Sequence, residues 1–284
     1  MKNIRIISLG EIIRPNMMAG VMALSETTGI SPQKIGAILQ DVFTQRLING
    51  FKLGKLPSLK FFYTGEEKAE YDILDQVLSV DAVEKIFCAQ MVRRFHREEN
   101  IAKPLTEEDF RRCWSVMNPG YEQYADLLQE AVAFNQSPDN ELIILSFTNS
   151  LDVGDMKKNG VSVDPENPTS INGITLHASY HTHLFAQDML QKIIKDICSS
   201  YSGPALFNQA NHLENVTVTY VHTPAKEDVK KRFGTDSDEM LEICRAMNIQ
   251  HLVWERDSHM SLSDALTMDP VPERKAGLGA AAGL

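Results

Sequence analysis

Two hydrophobic periods divide the chain. Near the start, Ile4, Ile6, Ile7 and Leu9 form an almost continuous aliphatic run within Asn3 to Ile13, the pattern of a strand buried on both faces at the centre of a parallel sheet. From Arg14 to about Asn118 the period becomes helical. Ser31-Pro32 supplies an N-cap and a proline at the first helical position, and Ile35, Ile38, Leu39, Val42 and Phe43 follow at helical spacing toward an exit at Gly50. Asp81 can cap a helix over Ala82 to Arg97, whose stripe contains Ile86, Phe87 and Val92 to Phe95. Thr106-Glu107-Glu108-Asp109 reads as a capping box that opens a helix through Phe110, Trp114 and Met117. Asn118-Pro119-Gly120 then breaks the pattern.

Beyond that break, helix and strand alternate. A helix through Tyr124, Leu127, Leu128, Ala131 and Val132 precedes a strand from Glu141 to Phe147, and a short helix at Val153 to Lys158 stops at Gly160. A loop over Asp164 to Asn172 leads to a strand at Ile174 to Ala178 and a helix from about Gln187 to Cys198. Then come a strand at Val216 to Val221, a helix at Asp236 to Met247, a strand at His251 to Trp254 and a last helix at Leu262 to Leu266. Such alternation predicts an α/β fold, a Rossmann-like parallel sheet with helices on both faces. The long helical stretch interrupts it as an insertion. The expected organisation is an α/β core of residues 1–13 and 119–267, a helical cap of residues 14–118, and a flexible Gly/Ala tail of residues 268–284.

Composition narrows the function. With 284 residues, 43% of them hydrophobic, the chain can bury a substantial core. Its net charge of −10 disfavours nucleic acid as a partner. The most basic stretch, Lys226 to Arg232, is interleaved with Glu227 and Asp228, as a solvated helix face would be. Cys88, Cys113, Cys198 and Cys244 lie far apart in apolar contexts and read as small buried hydrophobes in a reducing compartment. No apolar run approaches membrane-spanning length and no signal-peptide pattern is visible, so a soluble cytoplasmic protein without direct membrane insertion is expected.

Ligands of open α/β sheets bind beyond the carboxyl ends of the strands, which directs attention to Ser8 through Glu11. The pattern apolar-apolar-Ser8-Leu9-Gly10-Glu11-Ile12-Ile13 resembles the opening strand of haloacid dehalogenase-like (HAD) hydrolases with a helical cap inserted after it. The resemblance implies a phosphoryl-transfer site with an aspartate nucleophile, a second acid two residues later, a Ser/Thr hydroxyl, a lysine and distal acids that hold Mg²⁺. In this chain the nucleophile position holds Ser8 and the acid position Gly10. Glu11 is adjacent, but as a strand residue it would point to the other face. Ser146 occupies the hydroxyl position, followed by Thr148 and Asn149. The lysine region after Ser179-Tyr180 holds Leu184, Phe185 and Ala186, and Val221, His222 and Thr223 stand where the distal acids are expected. The resemblance therefore implies a catalytically degenerate member, with no cofactor and no metal.

Two further clusters bear on chemistry. His177, His181 and His183 lie close together in sequence, and His222 ends another strand, so His181, His183, His222 and Ser8 could converge on one rim. That would supply a base for Ser8 or ligands for a transition metal; the alternative is that the histidines fill polar loop positions. Phe61-Phe62-Tyr63 is the strongest aromatic cluster and a candidate partner anchor, whereas Ile86, Phe87, Val92, Phe95, Trp114 and the Met17 to Met22 run suit packing between cap helices. The expected function is a scaffold or adaptor subunit that binds other proteins, a bacterial secretion assembly being one such setting. The alternative is an active HAD-like phosphatase with a remodelled or histidine-containing metal site, using Ser8, Ser146, His183 and His222.

Overall fold

The computed structural model describes residues 1–54, 79–98, 101, 103–118, 123–163, 170–202, 216–223, 236–247, 249–255 and 259–269. The aromatic cluster Phe61-Phe62-Tyr63, the basic stretch from Lys226 and the tail beyond residue 269 lie outside them.

Strand β1 (Lys2–Ser8) is central in a six-stranded sheet. The spatial order is β3 (Ser170–Ile171), β4 (Ile174–Ala178), β2 (Asn140–Ser146), β1, β5 (Val216–His222), β6 (Gln250–Val253). Among the described residues the strand ladders are parallel except the β3–β4 hairpin, with one further antiparallel bridge between Val163 and Ile171, so the expected Rossmann-like sheet is present. Alternate residues of β1 feed two separate cores. Ile7 packs with Leu142, Ile144, Val221 and Leu252 against α1 (Leu9–Ile12), α7 (Ala125–Asn135), α8 (Ser150–Lys158) and α12 (Leu262–Thr267). Ile4 and Ile6 pack with Ile143, Leu145 and Tyr220 against α10 (Ala186–Ser202) and α11 (Asp236–Ala246). Burial on both faces is what makes the first strand read as a continuous apolar run.

Between β1 and β2 stand α2 (Met17–Thr28), α3 (Pro32–Gln40), α4 (Val42–Lys52), α5 (Val80–His96) and α6 (Glu107–Ser115). They share a core in which Phe87 stacks on Phe51 with centroids 4.0 Å apart and meets Trp114 edge-on at 5.3 Å. The Ser31 cap and the Thr106–Asp109 capping box form as expected. Three local expectations change. The helix expected to run from Pro32 to Gly50 breaks at Asp41, whose carboxylate accepts from Thr44 N at 2.8 Å and opens α4. Gly50 lies inside α4, and the left-handed turn follows at Gly54 (φ +64°). Ser79, not Asp81, caps α5, placing the acid in the first turn where it faces the helix dipole. Met17, Met18 and Met22 are exposed rather than packed, because α2 buries Gly20, Val21 and Leu24 instead.

Candidate functional site

The carboxyl ends of the parallel strands form a level rim. Register places Ser8 beside Leu145 and Leu145 beside His177. One step beyond the Ile7–Val221 pair lie Ser8 and His222, the last residues of β1 and β5, and His222 is paired in turn with Val253. Residues level with one another in parallel strands share a face, so His177, Leu145, Ser8 and His222 form a row on the α10 side. His222 is 4% exposed, stacked on Tyr220 with centroids 6.0 Å apart and lying 5.8 Å from His251. Burial lowers the His177 pKa, and the nearby Lys192 ammonium lowers it further.

Of the four residues expected on one rim, Ser8 and His222 end neighbouring strands. His183 stands elsewhere, in a left-handed conformation (φ +58°) after α9 (Ser179–Thr182), with Nδ1 2.8 Å from the Leu53 carbonyl. A carbonyl can only accept, so Nδ1 carries the proton. His181 is exposed on α9. Ser146 lies within β2 beside Ala178, with the parity of Ile144, and faces the sheet side opposite Ser8. Val221 is fully buried in the core and Ala186 opens α10. Gly10 sits in the helical turn α1.

That turn overturns the expectation for Glu11. The strand ends at Ser8, and the change of period from two residues to 3.6 swings the Glu11 side chain back to the rim. There its Oε1 accepts from Thr223 N at 3.3 Å, while Arg14 lies 3.8 Å from Oε2. Glu11 therefore caps the end of β5 rather than pointing away.

A polar cluster that the sequence reading did not single out joins the helical insertion to the rim. Asp152, in the first turn of α8, accepts from Trp114 Nε1 at 2.8 Å and Asn118 Nδ2 at 3.4 Å through Oδ1. Its Oδ2 accepts from Thr148 Oγ1 at 3.2 Å and Asn149 Nδ2 at 2.7 Å. Burial raises the Asp152 pKa, opposed by the Trp114 bond, the Lys52 charge and the bonds from Asn118 and Thr148. Lys52 closes α4 with its ammonium 4.8 Å from the Phe147 ring centroid, so a cation does stand near the rim, although the lysine region after Ser179 has none. The Lys52 carbonyl accepts from Ser179 Oγ at 2.9 Å, a hydroxyl also shared with the Thr148 carbonyl at 3.0 Å. Ser150 Oγ donates to Glu84 Oε1 of α5 at 2.7 Å. Beside this seam, a groove of about 490 Å³ between α6 and α8 is lined by Arg111, Arg112, Lys158, Glu108 and Asp155 among others. One sequence signal was available: Asn149 and Asp152 have the spacing of a capping box.

No family model matches the sequence, and no curated protein matches it either. Among solved structures, the chain is similar to a predicted HAD-like family hydrolase from Porphyromonas gingivalis, with 13% identity and a TM-score of 0.50 over 91% of this chain and 93% of that one. It is also similar to a HAD-family enzyme from Bacteroides thetaiotaomicron, solved with magnesium and inorganic phosphate, with 11% identity and a TM-score of 0.48 over 92% and 98% of the two chains. The chain has the HAD-like fold.

That fold raises the question of Mg²⁺, which demands several oxygen donors in near-octahedral geometry. The described rim offers the Ser8 hydroxyl, a glycine at residue 10, an imidazole at His222, a Glu11 carboxylate already engaged with Thr223 and Arg14, and an Asp152 carboxylate whose two oxygens already accept four hydrogen bonds. Among the described residues, no group of three or more His, Cys, Asp or Glu side chains is placed to hold a metal. The donor set does not fit Mg²⁺. Also among the described residues, no helix is long and apolar enough to cross a membrane.

Proposed function

We propose that this chain is a catalytically inert protein of HAD-like fold that serves as an adaptor, binding other proteins through its surface. The observation that carries the reading is the side-chain chemistry of the rim. Where phosphoryl transfer needs an attacking carboxylate and a metal, the ends of β1 and β5 present Ser8, Gly10, His222 and Thr223. A serine hydroxyl is a weak nucleophile unless a base activates it, and loss of a carboxylate nucleophile typically costs about 10⁴-fold or more in rate. The surface agrees with a binding role. Met17, Met18 and Met22 on α2 are 51%, 63% and 43% exposed, and methionine-rich surfaces adapt readily to partners.

A second reading rests on Ser8 and His222 ending neighbouring strands one step beyond the Ile7–Val221 pair, which brings the residue types of a nucleophile–base pair to one stretch of rim. One experiment separates the two. The purified protein is incubated with p-nitrophenyl phosphate and p-nitrophenyl acetate, with and without Mg²⁺. Background rates for wild type and Ser8→Ala alike fit the adaptor; turnover abolished by Ser8→Ala establishes a hydrolase and overturns it. The binding role is then tested with Met18→Lys, which should remove co-purifying protein from a native extract while leaving the melting temperature unchanged.

A further inference from the structure

The donors around Asp152 come from opposite sides of a seam. Trp114 and Asn118 belong to the end of the helical insertion, while Thr148 and Asn149 belong to the loop that leaves β2. Each carboxylate oxygen accepts two of these bonds, which is how a protein holds a bound carboxylate of external origin. The Lys52 ammonium supplies a compensating charge from a third element, α4. A capping role would need only the loop and its own helix. The indole and the Asn118 amide both reach Oδ1, from residues 38 and 34 positions away in sequence, while the loop donors take Oδ2.

We infer that Asp152 is a built-in anion: its carboxylate fills a small oxyanion-binding site at the junction and thereby pins the helical insertion over the strand ends. The site is closed to external anions while the side chain is present. Its ligand class is a small carboxylate, because the donors are matched to two oxygens on one planar group. Neighbouring joints hold the same seam from the other side, through Ser179 Oγ on the Lys52 carbonyl and His183 Nδ1 on the Leu53 carbonyl. The inference does not depend on the adaptor reading, since it concerns how the insertion is held rather than what the rim or surface does.

Asp152→Ala tests it by chemical rescue. Alanine keeps helix propensity, so the loss is that of the carboxylate. The melting temperature should fall by about 5 °C or more, and sodium formate, but not equimolar sodium chloride, should restore part of that loss. Wild type and a control with an apolar cavity, Phe134→Ala, should show no formate-specific shift. An equal formate shift in all three proteins, no formate-specific recovery in Asp152→Ala, or an unchanged melting temperature in that variant overturns the inference. Should Asp152→Ala fail to fold, Trp114→Phe decides, because it removes the indole N–H while keeping an aromatic ring. Amides of α6 should then exchange about tenfold faster while those of β1 and β2 do not change; unaltered exchange in α6 overturns it.

Discussion

Arg5 is a guanidinium in the middle of the central strand, and its removal tests how the C-terminal helix is held. The residue is 2% exposed. Its Nε donates to the Leu266 carbonyl at 2.9 Å, Nη1 to Thr219 Oγ1 at 2.7 Å and Nη2 to the Met268 carbonyl at 3.3 Å. The Leu266 carbonyl belongs to the last turn of α12, where a cation opposes the negative end of the helix dipole. Desolvation lowers the Arg5 pKa, with the Asp269 charge acting in the opposite direction; the group stays charged because arginine does not deprotonate in proteins. In Arg5→Met the chain length is kept and the donors are lost. Bonds from a charged donor contribute about 1.5–3 kcal/mol each, and the variant recovers part of that by no longer burying a charge. The expected net loss is about 2–4 kcal/mol, read by urea denaturation with an unchanged m-value. Thr219→Val should cost less alone and show coupling of about 1 kcal/mol with Arg5→Met in a double-mutant cycle. A variant as stable as wild type would refute the reasoning, because desolvation of the guanidinium would then outweigh everything it bonds.

Gly54 has φ +64°, and a Cβ there would stand 2.8 Å from the Tyr180 carbonyl and 3.2 Å from the His183 ring. Gly54→Ala should therefore destabilise by about 2 kcal/mol or more in thermal unfolding, and a neutral result would mean that the turn after α4 is not seated on α9. Glu98 has its pKa lowered by hydrogen bonds from Lys34 and Arg94. A carboxylate with a depressed folded-state pKa contributes stability above its unfolded pKa and loses it as pH falls through the folded value. Glu98→Gln should thus be less stable than wild type at neutral pH, with the gap closing below the ordinary carboxylate range; a gap constant across acid titration argues against this ion-pair network.

Most of the fold could be read from local pattern, because the sheet is buried on both faces and its strands are short apolar runs between helical periods. Ile174 to Ala178 matches β4 residue for residue, and β2, β5 and β6 differ by one residue at their ends, whereas β1 stops at Ser8 and gives way to the turn α1 before Glu11. What was missed also had a physical origin. β3 is two residues long, and its hairpin turns through Asn172 (φ +48°) and Gly173 (φ +81°), the Asn-Gly signal of a two-residue turn hidden in a polar loop. Asp41 breaks a helical stripe that hydrophobic spacing alone continues from Leu39 into Val42 and Phe43. At the site, Ser8 and His222 were legible because both end strands. Asp152 was legible only as a capping acid after Asn149, because its partners Trp114 and Asn118 come from another part of the chain and no local pattern reports a tertiary hydrogen bond.

The proposed inert reading has a physical rationale in the chemistry of the described rim. Carboxylates held close at the end of a sheet repel one another and resist desolvation unless a cation neutralises them, so the acids and the metal are stable only as a set. With His222 and Thr223 at the end of β5, the proposed reading expects that acids placed on β1 alone do not create a phosphatase site. The double variant Ser8→Asp, Gly10→Asp is accordingly expected to show p-nitrophenyl phosphate turnover no higher than wild type with millimolar Mg²⁺, and no Mg²⁺-dependent rise in melting temperature. Thr223 N already has the Glu11 carboxylate as its acceptor at 3.3 Å, so among the described residues the acid beside that strand end is committed to holding the turn. Mg²⁺-stimulated turnover in the double variant would show that two substitutions on β1 suffice for catalysis, and that the chain is a dormant enzyme rather than an adaptor.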